Sequence, residues 1–135
     1  MPASAGRILI VEDEPMLAFV LEEYIAEAGF KVVGVAGRIE EALAMIARGT
    51  CDGAVLDTNL AGISAAPACL ALNARGVPFI VLSGYSADQQ GSAFAAAAFR
   101  FQKPCHPDRL IEALHRMMAR PAGCGRTVGE GDGRG

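Results

Sequence analysis

The sequence predicts a doubly wound α/β domain, five parallel strands in the order 2-1-3-4-5 with helices on both faces of the sheet. Short apolar runs without polar alternation recur along the chain, as strands buried on both faces require. The segments between them carry apolar residues at helical spacing. Acidic, hydroxyl and amine side chains stand directly after the strand segments, where this topology gathers its functional groups.

The first strand is the unbroken run Ile8-Leu9-Ile10-Val11. Pro15 suits a first helical turn, and Leu17, Val20, Leu21, Tyr24, Ile25 and Ala28 recur at helical spacing until Gly29 stops the helix. Residues 31–35 form a second short strand. Ile39, Ala42, Leu43 and Ile46 mark a second helix, ended by Gly49. Ala54-Val55-Leu56 runs into Asp57 as the third strand, and an alanine-rich helix covers residues 65–74. Pro78 precedes the fourth strand, Phe79-Ile80-Val81-Leu82.

Residues 86–96 are small and polar and make a poor helix. With so little apolar area to tie it down, the stretch 87–98 suits a mobile output surface, or an ordinary short surface helix. Residues 99–102 are the fifth strand. Pro107 opens a last helix with Leu110, Ile111, Leu114, Met117 and Met118 on one face. Right-handed crossovers then narrow the topology to the doubly wound sandwich.

The 135 residues suit one domain, spanning 7–120, and a composition 52% hydrophobic and 20% charged favours a compact core. Residues 1–6 are expected to be flexible. The tail 121–135, with glycine or proline at Pro121, Gly123, Gly125, Gly129, Gly131, Gly133 and Gly135, is expected to be disordered. A net charge of -3 provides no basic field for nucleic acid or an anionic membrane, and no run approaches the ~20 apolar residues of a span. A folded part ending near residue 120 leaves little room for a DNA-binding output module, so a stand-alone domain is expected. Cys51, Cys69, Cys105 and Cys124 form no C-x-x-C pair, which favours a reducing cytoplasm over zinc or a disulfide framework.

The chemistry lies at four strand ends. Glu12 and Asp13 follow the first strand, Asp57 ends the third, Ser83 follows the fourth and Lys103 the fifth. Three carboxylates brought together repel one another unless a cation neutralises them, and hard oxygen donors with room for water favour Mg²⁺. With a lysine and a hydroxyl beside it, a carboxylate there is a competent nucleophile for a phosphoryl group. Each piece alone has a plainer reading: Glu12-Asp13 as a helix cap, Asp57 as a turn residue, Lys103-Pro104 as a turn into a helix. Their joint placement in order along four strand ends favours the site. His115 fits the edge of the last helix's apolar face, and a phosphotransfer histidine, for which His106 or His115 could be mistaken, normally belongs to a helical bundle rather than this fold.

The pattern resembles the receiver domain of two-component signalling across residues 7–119, on Val11-Glu12-Asp13-Glu14, Leu56-Asp57-Thr58-Asn59-Leu60, Leu82-Ser83-Gly84 and Lys103-Pro104. The resemblance implies a flavodoxin-like fold, Asp57 as phosphoacceptor, and Mg²⁺ held by Glu12, Asp13, Asp57 and the Asn59 carbonyl. It further implies Ser83 as the hydroxyl that senses the phosphoryl group, Lys103 as its lysine partner, and a cis bond before Pro104. A histidine kinase or histidine phosphotransfer protein is the implied donor and an unidentified protein the target, the chain being a monomer or weak dimer.

One position departs from the pattern. The usual switch aromatic, three residues before the lysine, is Arg100 here, flanked by Phe99 and Phe101. The stretch from Pro78 to Tyr85 is similar to a receiver subfamily with a Phe-Ala-Thr-Gly-x-Tyr-type fourth strand. That similarity makes Tyr85, with Arg100, a candidate switch element; a partly exposed aromatic is the plainer alternative.

Three other functions compete. A phosphatase with an aspartate nucleophile needs a proton-transferring group two residues on, where Asn59 stands, so a persistent phosphoryl adduct rather than turnover is expected. A nucleotide binder needs a phosphate-cradling loop after the first strand, and Glu12-Asp13-Glu14-Pro15 would repel phosphate. A degenerate receiver that binds partners without phosphorylation is the third alternative, and the full set of acids, hydroxyl and lysine argues against it.

Overall fold

The computed structural model describes residues 6–84 and 92–119. Along them run β1 (Arg7–Val11), α1 (Pro15–Glu27), β2 (Lys31–Ala36), α2 (Ile39–Ala47), β3 (Gly53–Asp57), β4 (Asn59–Leu60), β5 (Ile63–Ser64), α3 (Ala66–Ala74), β6 (Phe79–Ser83), α4 (Ser92–Ala95), β7 (Phe99–Gln102) and α5 (Pro107–Ala119). The main sheet is parallel throughout, in the order β2-β1-β3-β6-β7. This is the expected 2-1-3-4-5 order, with β6 and β7 as the fourth and fifth strands.

Strand alternation divides the core into two layers. Leu9, Val11, Leu56, Phe79 and Val81 pack with Ala42, Ile46 and Leu72 on the α2 and α3 side. Ile8, Ile10, Val55, Ile80 and Leu82 pack with Leu21, Ile25, Leu110 and Leu114 on the α1 and α5 side. The central strands β3 and β6 are buried along their whole length, which is why their sequences show no alternation. A Cβ at Gly53, the first residue of β3, would lie 2.7 Å from Met118 Sδ and 3.2 Å from Met117 Cε, so both methionine side chains would have to shift to admit one. At the same sheet edge Arg7 clasps Asp52, donating from its backbone N–H (2.9 Å), Nε (3.0 Å) and Nη2 (3.0 Å).

One element was not foreseen. Directly after Asp57 the chain forms a small antiparallel hairpin, β4–β5, pairing Asn59 with Ser64 and Leu60 with Ile63. Its two-residue turn has positive φ at both Ala61 (54°) and Gly62 (89°), as in a type I′ turn. Leu60 is buried in the α3-side core and anchors the hairpin. Ala-Gly lacks the usual Asn-Gly or Asp-Gly signature, so local sequence did not announce it.

Of the weak helical segment expected at 86–96, residues 92–95 are helical and Phe94 is buried. The remainder, with Tyr85, lies outside the described residues, as do residues 1–5 of the expected flexible N-terminus and the whole tail 121–135. His106 is exposed, and its Nδ1 accepts the Asp108 N–H at 3.1 Å at the start of α5; His115 lies with its ring 4.9 Å from that of Phe30. Cys51 and Cys69 are buried thiols, and Cys105 is half-buried. Among the described residues no helix is long and apolar enough to cross a membrane.

Candidate functional site

The carboxyl ends of β1, β3, β6 and β7 converge on one edge of the sheet. Glu12 follows β1, its N–H bonded to the Ala36 carbonyl at 2.9 Å, and its side chain turns into the edge with 3% of the residue exposed. Its Oε2 accepts the Glu14 N–H at 3.1 Å. Its Oε1 is buried without a hydrogen-bond partner. Asp57, 7% exposed, ends β3 and accepts the Asn59 N–H on Oδ1 at 3.1 Å. Ligand oxygens of Glu12, Asp13 and Asp57 all lie within 4.8 Å of one another.

Lys103 enters the cluster from the end of β7. Its Nζ donates to Asp57 Oδ2 at 2.8 Å and lies 3.8 Å from Glu12 Oε1. The bond before Pro104 is cis, as the resemblance implied, and the Lys103 N–H donates to the Ser83 carbonyl at 2.7 Å, tying the lysine backbone to the end of β6. Ser83 is 5% exposed. Asn59 is exposed, and its side-chain oxygen accepts the Gly62 N–H at 2.7 Å across the hairpin turn. The amide is therefore committed to holding the turn.

The electrostatics of a crowded acidic pocket follow. Burial pushes the Glu12 carboxyl up to about 7; the Glu14 N–H and Lys103 oppose that shift, and the charges of Asp57 and Asp13 add to it. For Lys103, burial works against the ammonium, but the hydrogen bond and charge of Asp57, with Glu12 and Asp13, together outweigh it and hold its pKa above the ordinary value. A divalent cation fits these residues: the donors are hard carboxylate oxygens, and the buried Glu12 Oε1 lacks a partner.

Sequence reasoning brought Glu12, Asp13, Asp57, Asn59, Ser83 and Lys103 to this edge, and the structure assembles them there. Arg100 is exposed on β7, where it alternates with the half-buried, stacked Phe99 and Phe101. Tyr85 lies outside the described residues. Sequence reasoning missed Thr58, which is 4% exposed with an Oγ1 that has no hydrogen-bond partner. The one signal for it was a hydroxyl residue directly after Asp57.

Comparison with known proteins agrees with this geometry. The family model described as the response regulator receiver domain matches residues 8–115. The transcriptional regulatory protein TcrA of Mycobacterium tuberculosis is 34% identical over 122 residues, covering 87% of this chain and 47% of TcrA. The chain spans about half the length of the curated relatives it matches. Among solved structures, SdrG from Sphingomonas melonis Fr1 is 37% identical with a TM-score of 0.73, covering 86% of this chain and 99% of SdrG. A CheY-like response regulator receiver domain protein from Methanospirillum hungatei JF-1 is 26% identical with a TM-score of 0.73, covering 83% of this chain and 92% of its own.

Proposed function

This chain belongs to the response regulator receiver domain family, and from that premise we propose that Asp57 accepts a phosphoryl group from a phosphohistidine of a histidine kinase or histidine phosphotransfer protein. In that step an Asp57 oxygen attacks phosphorus, the P–N bond to the donor breaks, and its electron pair returns to the imidazole ring. The observation that carries the reading is the approach of Lys103 Nζ to 2.8 Å from Asp57 Oδ2 inside the acidic cluster. An ammonium there is poised to pair with phosphoryl oxygens as they arrive.

Glu12, Asp13 and Asp57 would hold Mg²⁺, with the Asn59 carbonyl as the further ligand that the family resemblance implies; the ion supplies positive charge to the transferring group. Ser83 presents a hydroxyl donor at the same edge. The Asn59 side-chain amide cannot act as a general acid or base and its oxygen accepts the Gly62 N–H, so the acyl phosphate persists and the chain signals without turnover. Signalling then runs through altered contacts with a protein target, in the cytoplasm, with Arg100 and Tyr85 as candidate switch positions. The net charge of -3 disfavours nucleic acid as that target.

The test is intact mass after incubation with acetyl phosphate, with and without Mg²⁺, on wild type and Asp57→Asn. A single phosphoryl adduct that requires both Mg²⁺ and Asp57 is expected. Its absence from folded wild-type protein would replace this reading with a phosphorylation-independent binding module.

A further inference from the structure

Helix α3 is apolar on both sides. Ala68, Cys69 and Leu72 face the core and are buried, as is Ala65 just before them. The opposite face carries Pro67, Leu70, Ala71 and Ala74 at i, i+3, i+4 and i+7, a continuous stripe along the helix. Leu70 is 58% exposed, Pro67 and Ala74 are exposed, and Ala71 is half-buried. Asn73 is the one polar residue of the helix. In the preceding hairpin Ile63 is 55% exposed. It pairs with Leu60, and cross-strand partners share a face, so Ile63 lies on the side of the hairpin that Leu60 turns toward the α3 layer.

A surface helix ordinarily shows water a polar or charged face, and a helix apolar all round is ordinarily buried. Residues 58–74, which include α3 and the hairpin, hold no charged side chain in a chain that is 20% charged. The next charge, Arg75, has its guanidinium seated against Gly49, where a Cβ would lie 2.7 Å from Nη2. A two-fold pair needs a surface complementary to itself, which a neutral apolar face satisfies and a face of one charge sign does not. The other exposed apolar stripe, Met16, Phe19, Val20 and Tyr24 on α1, fails that condition. Glu14, Glu22, Glu23 and Glu27 flank it and α1 carries no lysine or arginine, so a second copy there would set acid against acid.

We propose that a second copy of this chain docks on the outer face of α3, forming a two-fold pair of antiparallel α3 helices. Leu70 is the central residue of the nine-residue helix, so the pair is centred on Leu70 against Leu70 of the second copy. Pro67 of each copy then meets the small Ala71 and Ala74 of the other, which lets the helices approach to near the lower end of the usual range of about 8–10 Å. A helix of this length spans only about 14 Å. The contact therefore falls short of the roughly 1,600 Å² of a standard interface, and the dimer is weak, with a Kd on the order of 100 µM. The face adjoins the acidic edge through the hairpin: the Asn59 N–H donates to Asp57 Oδ1, and the Asn59 side chain holds Gly62, next to Ile63. The pairing itself does not depend on the chemistry proposed for Asp57.

Sedimentation velocity on the full chain, from about 10 µM to about 1 mM, reads the association directly. Wild type is expected to move from monomer toward dimer across that range. Leu70→Glu and Leu70→Lys each place like charges at the two-fold axis, so each stays monomeric, with circular dichroism and thermal melts reporting that it is folded. Mixed in equal amounts the two variants associate again, because the axis then joins a carboxylate to an ammonium. Phe19→Glu on α1 keeps the wild-type Kd. Wild type that is still monomeric at about 1 mM overturns the proposal. So does a dimer that survives Leu70→Glu, or one that is lost in Phe19→Glu, since either places the interface elsewhere. No recovery in the mixture overturns the two-fold arrangement about Leu70. Adduct formation at Asp57 is read separately by mass, so failure here leaves the phosphoacceptor reading intact.

Discussion

Separated by 46 positions in sequence, the Lys103 ammonium lies 2.8 Å from Oδ2 of Asp57, a contact made by the alignment of β7 and β3 across the intervening β6. Lys103→Met keeps much of the stem and removes the charge. Its rate of adduct formation from acetyl phosphate is expected to fall on the order of a hundredfold, read as initial rates by intact mass. A rate equal to wild type would show that the ammonium pairs with Asp57 without assisting transfer.

Mg²⁺ is expected to raise the melting temperature of wild-type protein, because it neutralises three carboxylates within 4.8 Å. At a hundredfold excess over its dissociation constant the gain is about 2.7 kcal/mol. Asp13→Asn removes a ligand at the half-exposed edge of the cluster and should lose most of that gain, together with adduct formation. Thermal melts in chelator and in Mg²⁺ provide the comparison; an equal gain in Asp13→Asn would move the ion elsewhere.

The Arg7–Asp52 clasp governs acid stability at the opposite sheet edge. The hydrogen bond from the Arg7 side chain, then its backbone N–H and its charge, hold the Asp52 carboxyl below its ordinary value against a smaller opposing effect of burial. A carboxyl depressed in the folded state contributes stability that is present above its unfolded pKa and lost as pH falls through the folded one. Wild type should therefore lose stability below about pH 4, and Asp52→Asn should lose less over the same window. At neutral pH the variant should accept phosphate like wild type. Melts from pH 3 to 7 test the first expectation, and parallel acid limbs would refute it.

The hairpin makes a conformational prediction. A Cβ at Gly62 meets nothing within 4 Å, so Gly62→Ala is penalised by its φ of 89° alone. Denaturant unfolding should show a loss of about 1–2 kcal/mol. Ala61 already occupies φ 54°, and Ala61→Asn, better suited to that region, should stabilise the chain. No loss in Gly62→Ala would mean that the turn rearranges freely.

Much of this was legible along the chain. Unbroken apolar runs such as Ile8-Leu9-Ile10-Val11 and Phe79-Ile80-Val81-Leu82 marked doubly buried strands, and Gly29 and Gly49 marked helix ends, because burial on two faces and left-handed backbone leave local signatures. The position of Glu12, Asp13, Asp57, Ser83 and Lys103 after strands was equally local, and parallel topology dictates that such positions meet at one edge.

Tertiary structure alone decided the rest. That Glu12 Oε1 and Thr58 Oγ1 are buried without hydrogen-bond partners depends on every neighbouring element closing over them, and no local pattern encodes it. The β4–β5 hairpin forms with Ala at a left-handed position because the buried Leu60 anchors it and the Asn59 side chain caps Gly62, so tertiary contacts override a weak turn signal. By itself the sequence determined which groups reach the edge, since period and strand order are short-range properties. Which of those groups are paired, strained or left unsatisfied was determined only by packing, because burial and hydrogen-bond geometry are properties of the closed fold.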